Sequence, residues 1–276
     1  MTRWGAALVL AAVLLGFGAP AEAVPPTRVV SMNLCTDQLA MLLAAPGQLV
    51  SVSALAREPE SSAMAAEAAA WPVNHGLAEE IFLLAPDLVL AGAYTSRPAV
   101  ELLERLGVPV LVVEPAVSID DARRQIGAVG AALGRDAAAR DLLARFDAAL
   151  AAVPPAPQRH PTAAIVGPSG YAAGPATLAG AVLARAGFDN LAGPMGIETG
   201  GTLSLERLLM AAPDLLVLPE VYPGWSRAEE FLRHPALADR GGATLTLPDR
   251  DWVCGTPALF DNLARLVAAR QAMAAP

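Results

Sequence analysis

The chain contains no lysine, and its 19 basic residues are all arginines that form no cluster. A Walker-type phosphate loop and a Schiff-base enzyme both need a lysine ammonium group, so both classes are excluded. The formal net charge is −8, and no arginine-rich stretch is present to neutralise phosphates. We therefore expect no nucleic-acid partner.

Histidine is also scarce, with only His75, His160 and His234 in the whole chain. These three residues lie far apart in the sequence, whereas protein-bound zinc requires clustered donors. The sequence thus predicts no metal site built from protein side chains, and it disfavours transport of a bare transition metal.

An export pattern is present at the N-terminus. Arg3 precedes the apolar run 6–17, which is followed by the small-residue site Ala21-Glu22-Ala23. This order is typical of a secretory signal peptide, which we place at residues 1–23 with cleavage near Ala23. The run is shorter than the roughly 20 apolar residues of a spanning helix, and the cleavage point lacks the cysteine needed for lipid attachment. We expect a periplasmic protein with no stable membrane anchor.

Beyond the signal peptide, short apolar runs alternate with segments of helical spacing, which predicts an α/β fold. The predicted strands are 29–31, 49–52, 87–90, 109–113, 162–166, 214–218 and 243–247, and the closing helix begins near Thr256. The length favours two lobes rather than one core.

A long surface helix is predicted between the lobes. From Asp136 to Ala152 the apolar residues recur at three- and four-residue steps, and the stiff segment 154–157 then ends the helix. We accordingly predict an N-terminal α/β lobe at 24–135, a connecting backbone helix at 136–153 and a C-terminal α/β lobe at 154–276. The two lobes are expected to be Rossmann-like, with a ligand cleft between them.

An internal repeat supports this division. Segment 76–90 resembles segment 202–218, with Glu79 matching Glu206 and Pro86-Asp87 matching Pro213-Asp214, always 127 residues apart. In both copies a Glu begins a short helix, Pro-Asp ends it, and an apolar strand follows. Two similar lobes joined by one helix create an interface cleft, where small ligands commonly bind.

In these features the chain resembles the helical-backbone class of periplasmic binding proteins, which serve ABC importers of cobalamin, haem and ferric siderophores. The resemblance rests on Arg28-Val29-Val30-Ser31, the two repeat segments and Asp251-Trp252 before the last helix. It implies a monomer that delivers a metal chelate to a permease dimer with its ATPase, with no cofactor of its own.

The resemblance also implies that Glu79 and Glu206, one on each lobe, dock to arginine pockets of the permease. Carboxylates in the first turn of a helix are stabilised by the helix dipole, and arginine can bind them with paired hydrogen bonds. The alternative for each residue is the ordinary acidity of a helix start.

The same resemblance implies a set of ligand-binding residues at the ends of the strands. Aromatic planes suit a flat macrocycle, and polar side chains add direction. His75 could in addition coordinate cobalt or iron axially, although a polar contact is the simpler interpretation. The predicted ligand-binding residues are Asn33, Leu34, Cys35, Asn74, His75, Tyr94, Tyr171, Trp225, Asp251, Trp252 and Cys254.

The two cysteines leave two interpretations open. Cys35 and Cys254 are expected to face the cleft from opposite lobes, where they either form a disulfide that fastens the lobes together or remain free thiols in contact with the ligand.

Two other functions compete with import. A hydrolase would need a Gly-x-Ser-x-Gly elbow, but Gly167-Pro168-Ser169-Gly170-Tyr171 has Tyr in place of the last Gly. We therefore expect no enzyme. A sensor or scavenger of the same fold would share every residue pattern described above.

Among ligands, a corrinoid such as cobalamin ranks first, ahead of haem and ferric siderophores. A stiff connecting helix predicts only small rotations of the lobes on binding.

Overall fold

The computed structural model describes residues 24–221 and 226–274. The predicted signal peptide 1–23 and Trp225 lie outside these residues. The N-terminal lobe is a five-stranded parallel sheet in the order β3-β2-β1-β4-β5 with helices around it. Its elements are β1 (Val29–Ser31), α1 (Leu34–Leu43), β2 (Leu49–Ser53), α2 (Ala65–Ala68), β3 (Val73–Asn74), α3 (Ala78–Leu83), β4 (Leu88–Gly92), α4 (Arg97–Arg105), β5 (Val110–Val113) and α5 (Ile119–Ala132).

The connecting helix α6 covers Asp136–Ala151 and leads into the C-terminal lobe. That lobe has a four-stranded parallel sheet in the order β11-β10-β6-β8 and a small antiparallel pair, β7-β9. Its elements are β6 (Thr162–Ile165), β7 (Tyr171–Ala173), α7 (Leu178–Arg185), β8 (Asp189–Asn190), β9 (Gly200–Thr202), α8 (Leu205–Ala211), β10 (Leu215–Pro219), α9 (Pro235–Ala238), β11 (Ala243–Leu247) and α10 (Leu259–Ala274).

The predicted fold class, two Rossmann-like α/β lobes joined by a long helix, is confirmed. Strands β2-β1-β4-β5 of the first lobe correspond in order and direction to β8-β6-β10-β11 of the second. Central strands such as β4 are buried along their whole length, because helices cover both faces of a parallel sheet. This burial explains why these strands are continuous apolar runs in the sequence.

The internal repeat has the same local structure in both lobes. Asp87 accepts hydrogen bonds from Thr27 N and Oγ1 at 2.7 and 2.9 Å, and Asp214 accepts them from Thr162 N and Oγ1 at 2.8 Å each. The residue before each Pro-Asp is an alanine in the left-handed region, with φ of 48° at Ala85 and 44° at Ala212. Each aspartate thereby ties the start of its own strand to the start of the neighbouring one.

Helix α5 is an element that the sequence patterns did not indicate. Gly127 and Gly130 lie inside it, and glycine weakens the helical pattern. Gly130 is nevertheless required, because a Cβ there would lie 2.3 Å from the Cβ of Ala139 on α6. Helices α5 and α6 therefore pack at very close range.

The hydrophobic core is continuous across the two lobes. One buried cluster includes Val29 of β1, Phe146 of α6 and Leu178 of α7. The ring of Phe146 also contacts that of Phe260 on α10, edge to face, with centroids 4.7 Å apart. The connecting helix is therefore an integral part of the core.

Candidate ligand cleft

A large cavity lies where the carboxyl ends of the two parallel sheets face each other, which is the usual ligand position in open α/β sheets. Its volume is about 480 Å³, within the range of roughly 300–1,000 Å³ common for ligand sites. The lining residues are Tyr94, Ala116, Val117, Ile165, Val166, Gly167, Tyr171, Ala173, Ala176, Thr177, Leu178, Ala179, Thr199, Gly200, Val217, Leu218, Pro219, Asp249, Trp252 and Val253.

The N-terminal lobe contributes little to this lining. Tyr94 follows β4, and Ala116 and Val117 follow β5. The Tyr94 side chain is 88% exposed, so its ring stands at the mouth of the cleft without packing on the protein. This tyrosine is available to close over a ligand.

The C-terminal lobe supplies most of the surface. After β6 the chain makes a tight turn at Pro168–Gly170, with Ser169 in the left-handed region at φ 56°, and this turn brings Tyr171 into the cleft wall. The Tyr171 ring lies directly over Gly200 of the paired strand β9, where a Cβ would be 2.4 Å from the phenol oxygen. Gly200 is therefore needed for the position of Tyr171.

Asp249 and Trp252 form the polar part of the wall. The Trp252 indole, which is 5% exposed, donates a hydrogen bond from Nε1 to Asp249 Oδ1 at 3.3 Å. Partial desolvation by the surrounding protein raises the pKa of the Asp249 carboxyl, and the hydrogen bond from the Trp252 indole partly offsets that rise. Asp249 still reaches solvent, so it can accept a hydrogen bond from a ligand N–H or O–H group.

A smaller cavity of about 230 Å³ adjoins the first, since Tyr94, Ala116 and Val253 line both. Asn33 and Cys35 also line it. Asn33 caps α1 by accepting a hydrogen bond from Cys35 N at 3.1 Å, and its side chain packs against Gly92, where a Cβ would lie 2.6 Å away. Asn33 therefore has both a structural role and an exposed edge in the cavity.

The cysteines form a disulfide between the lobes. Cys35 and Cys254 have Cα atoms 5.1 Å apart, so of the two interpretations left open by the sequence the structure shows the bridged one. Beside it, Thr256 Oγ1 donates to Gln38 Oε1 at 3.3 Å. Gly255 lies against α5, where a Cβ would be 2.7 Å from the Cβ of Ala122. The lobes are thus fastened at the base of the cleft.

Several predicted ligand residues lie elsewhere. Asn74 is fully buried, and its Nδ2 donates to Ser31 O, Ser51 Oγ and Val52 O at 2.8–3.0 Å, so its amide stabilises the fold. Asp251 and Cys254 are buried outside the cleft lining, and Leu34 faces neither cavity.

His75 is also outside both cavities. It is exposed, and its Nδ1 lies 3.2 Å from Glu80 Oε1, so the imidazole is paired on the surface of its own lobe. Of the predicted set, Tyr94, Tyr171 and Trp252 line the large cavity, and Asn33 and Cys35 line the small one. Leu34, Asn74, His75, Asp251 and Cys254 line neither cavity, and Trp225 lies outside the described residues.

Sequence reasoning missed Asp249 and Val253. The strand 243–247 was predicted, and Asp249 comes two residues after its end, so the rule that ligands bind at the carboxyl ends of strands would have selected it over Asp251. Val253 carried no comparable signal, because an isolated valine in a loop does not by itself indicate a ligand site; in the structure it is 53% exposed and lines both cavities.

The two repeat carboxylates occupy equivalent positions. Glu79 lies in the first turn of α3 and Glu206 in the first turn of α8, and both are exposed. Hydrogen bonds from the Glu206 backbone and from Ser204 lower the pKa of the Glu206 carboxyl. Glu206 is therefore a stable anion at neutral pH.

Residues 24–221 and 226–274 contain no group of three or more His, Cys, Asp or Glu side chains that could hold a metal ion. Within the same ranges no helix combines the length and the apolar character that crossing a bilayer requires.

The periplasmic binding protein family model matches residues 29–240, most of the chain. The chain belongs to this family. Its family and fold are those of solute-binding proteins.

Two sequence relatives of this periplasmic binding protein carry the same ligand in their names. A cobalamin-binding protein of Halobacterium salinarum is 28% identical over 197 residues, which are 70% of this chain and 53% of the relative. A vitamin B12-binding protein of Yersinia pseudotuberculosis is 37% identical over 113 residues, 40% of this chain and 38% of the relative. The matches thus span about half or less of the relatives' length.

Among solved structures, a periplasmic haem-binding protein of Roseiflexus sp. RS-1 in its apo form superposes with a TM-score of 0.71. The match covers 88% of this chain and 99% of that one at 24% identity. This likeness establishes the shared fold.

Proposed function

We propose that this periplasmic binding protein captures a neutral metal chelate, with a corrinoid such as cobalamin favoured, and delivers it to an ABC importer. Export through the signal peptide 1–23 would bring it to the periplasm as a free monomer. The charge of the cleft is the observation that carries the choice of ligand.

No arginine or histidine lines either cavity among the described residues, while Asp249 lines the large cavity and Glu114 the small one. Haem carries two propionate carboxylates, and ferric catecholates are polyanions. Either ligand would bring negative charge close to Asp249 and Glu114 with no cationic side chain to pair with it. Unpaired like charges in a partly desolvated site are energetically costly. A corrinoid carries amide side chains, whose N–H groups can donate to the Asp249 carboxylate.

The apolar lining supports the same ligand. Tyr171 on the C-terminal lobe and Tyr94 on the N-terminal lobe present ring surfaces that suit a flat macrocycle, and the largely buried Trp252 adds a small part of the lining. The names of the two sequence relatives agree with this choice.

Titration of the purified mature protein with cyanocobalamin, haemin and a ferric catecholate, followed by tryptophan quenching, tests the proposal. We expect cyanocobalamin to bind at least tenfold more tightly than either anionic chelate. Asp249→Asn should weaken cyanocobalamin binding and improve binding of the anionic chelates, because it removes the carboxylate. Tighter binding of haemin or the catecholate by the unmodified protein would contradict the corrinoid assignment.

Haem binding is the second candidate, and Tyr94 favours it. Its exposed phenol at the mouth of the cleft is a group that can ligate haem iron. A haemin complex whose Soret band shifts on Tyr94→Phe substitution would support haem as the ligand. A bound ferric siderophore would be distinguished by its own charge-transfer band.

A further inference from the structure

The repeat helices α3 and α8 share a feature beyond their glutamates. Leu83 at the end of α3 is 84% exposed, and Met210 near the end of α8 is 85% exposed. These residues are 127 residues apart, the same spacing that relates Glu79 to Glu206. Two large apolar side chains therefore stand in solvent at equivalent positions of the two lobes.

The fold does not account for these two side chains. The inward positions of the same helices are Ile81 and Leu208, which are fully buried and pack into the lobe cores. Leu83 and Met210 come two residues later, on the outward side, and belong to none of the buried clusters. A polar residue would serve the fold equally well at either position.

Each apolar side chain shares a helix face with a carboxylate. Residues four apart in a helix are surface neighbours, so Leu83 lies next to Glu79 and Met210 next to Glu206. Each lobe thus presents one acidic and one apolar group side by side. We call these two pairs, Glu79 with Leu83 and Glu206 with Met210, the docking pairs.

We propose that Leu83 and Met210 are apolar anchors that enter equivalent pockets on the two halves of the importer permease, beside the basic groups that receive Glu79 and Glu206. This inference rests on the proposed transport function. A partner with one binding surface would need only one docking pair, whereas two matching pairs fit a partner with two equivalent subunits. Their carboxylates further require that its surface be basic.

Docking to a cobalamin-type permease–ATPase complex of the same genome, held in lipid nanodiscs, tests the inference. Leu83→Ser and Met210→Ser should each weaken docking roughly tenfold, and the double variant roughly a hundredfold, because each loses one buried apolar contact at a separate site. Leu83→Met and Met210→Leu should dock like the unmodified protein. Leu106→Ser, which changes a half-buried leucine at the C-cap of α4, is the control and should not weaken docking.

Two results would overturn the inference while sparing the proposed function. In the first, the double serine variant docks as strongly as the unmodified protein, whereas the Glu79→Arg, Glu206→Arg variant does not dock. In the second, Leu106→Ser weakens docking as much as Leu83→Ser or Met210→Ser does. If the unmodified protein fails to dock at all, the proposed function and the inference both fall. Concentration-dependent dimerisation that the double serine variant abolishes would instead assign the pair to self-association. Cyanocobalamin affinity and melting temperature should be the same in the unmodified protein and in the Leu83→Ser and Met210→Ser variants.

Discussion

In both lobes the repeat helix is followed by a left-handed alanine, Ala85 or Ala212, and in both an aspartate joins the first strand to its neighbour. The carboxyl edges of the two sheets differ. In the first lobe the chain passes directly into α1 and the disulfide, while in the second it forms a turn and the β7-β9 pair, which carries Tyr171. The shared part forms the frame and the docking pairs, and the differing part forms the cleft. A symmetric frame can therefore hold an asymmetric ligand site.

Removal of the link between the lobes should have the largest effect on stability. We expect Cys35→Ala with Cys254→Ala to lower the free energy of unfolding by about 2–5 kcal/mol, since the disulfide restricts the unfolded chain. The melting temperature should fall by about 5–15 °C. Calorimetry should still show one transition, because the core is continuous across the lobes. Two separate transitions would show that only the disulfide couples the lobes.

The second prediction concerns Asp37, a fully buried acid in helix α1 of the N-terminal lobe. Burial raises the pKa of Asp37 to about 6, although hydrogen bonds from Ser31 and Ser53 oppose the rise. The corresponding helix α7 buries Leu178, Val182 and Leu183 instead. Because the native state holds the proton more tightly, this group stabilises the protein at low pH, and that contribution is lost as the pH rises from about 4 through 6.

Asp37→Asn should remove this dependence. The unfolding free energy of the variant relative to the unmodified protein should rise by about 2–3 kcal/mol between pH 4 and 7. Urea titrations at half-unit pH steps would measure it. A difference that stays constant over this range would show that Asp37 titrates normally.

The third prediction compares the two cleft tyrosines. Tyr171 is half-buried against Gly200, while Tyr94 is free, so Tyr171→Ala should weaken cyanocobalamin binding by about thirtyfold, as for a pre-positioned hot spot. Tyr94→Ala should weaken it by about fivefold, since ordering the free ring offsets part of its contact energy. Substitution of either by Phe should leave corrinoid affinity within a factor of two. The reverse order, measured by tryptophan quenching, would place the main contact on the N-terminal lobe.

The smallest effect should come from the shared frame. Asp87→Ala and Asp214→Ala should each cost about 1 kcal/mol, because each removes hydrogen bonds to an exposed charged group. Slight desolvation acts to raise the pKa of the Asp87 carboxyl. The hydrogen bonds from Thr27 and Arg28 together have the larger effect, so the pKa of Asp87 lies below its usual value. Hydrogen bonds from Thr162 lower that of Asp214.

Since the pKa of each aspartate is lower in the native state than in the unfolded chain, the two carboxylates stabilise the fold at pH values above their unfolded-state pKa. This stabilisation is lost progressively as the pH falls below about 4. Chemical denaturation of the two variants at pH 7 and pH 3 should therefore give matching losses at pH 7 and smaller losses at pH 3. Unequal losses at pH 7 would mean that the repeat is not energetically equivalent in the two lobes.

Much of the frame could be predicted from the residues alone. Buried parallel strands are apolar runs of four or five residues, and Pro-Asp at one offset marks the two lobes. Helix α6 has regular apolar spacing. Helix α5 could not be predicted because its glycines serve a close helix contact that exists only once α6 is in place. The position of Asn74 was misjudged for a similar reason, since its amide is used by strands distant in the chain.

The sequence by itself determined the α/β alternation, the repeat and the candidate docking glutamates, because these depend on local periodicity and on residues a fixed distance apart. Only the tertiary structure decided that Cys35 and Cys254 are bridged, that Asp249 rather than Asp251 reaches the cleft, and that Leu83 and Met210 stand in solvent. Those outcomes depend on which segments meet in space, and a single chain's residue order does not specify the distance between a loop near residue 35 and one near residue 254.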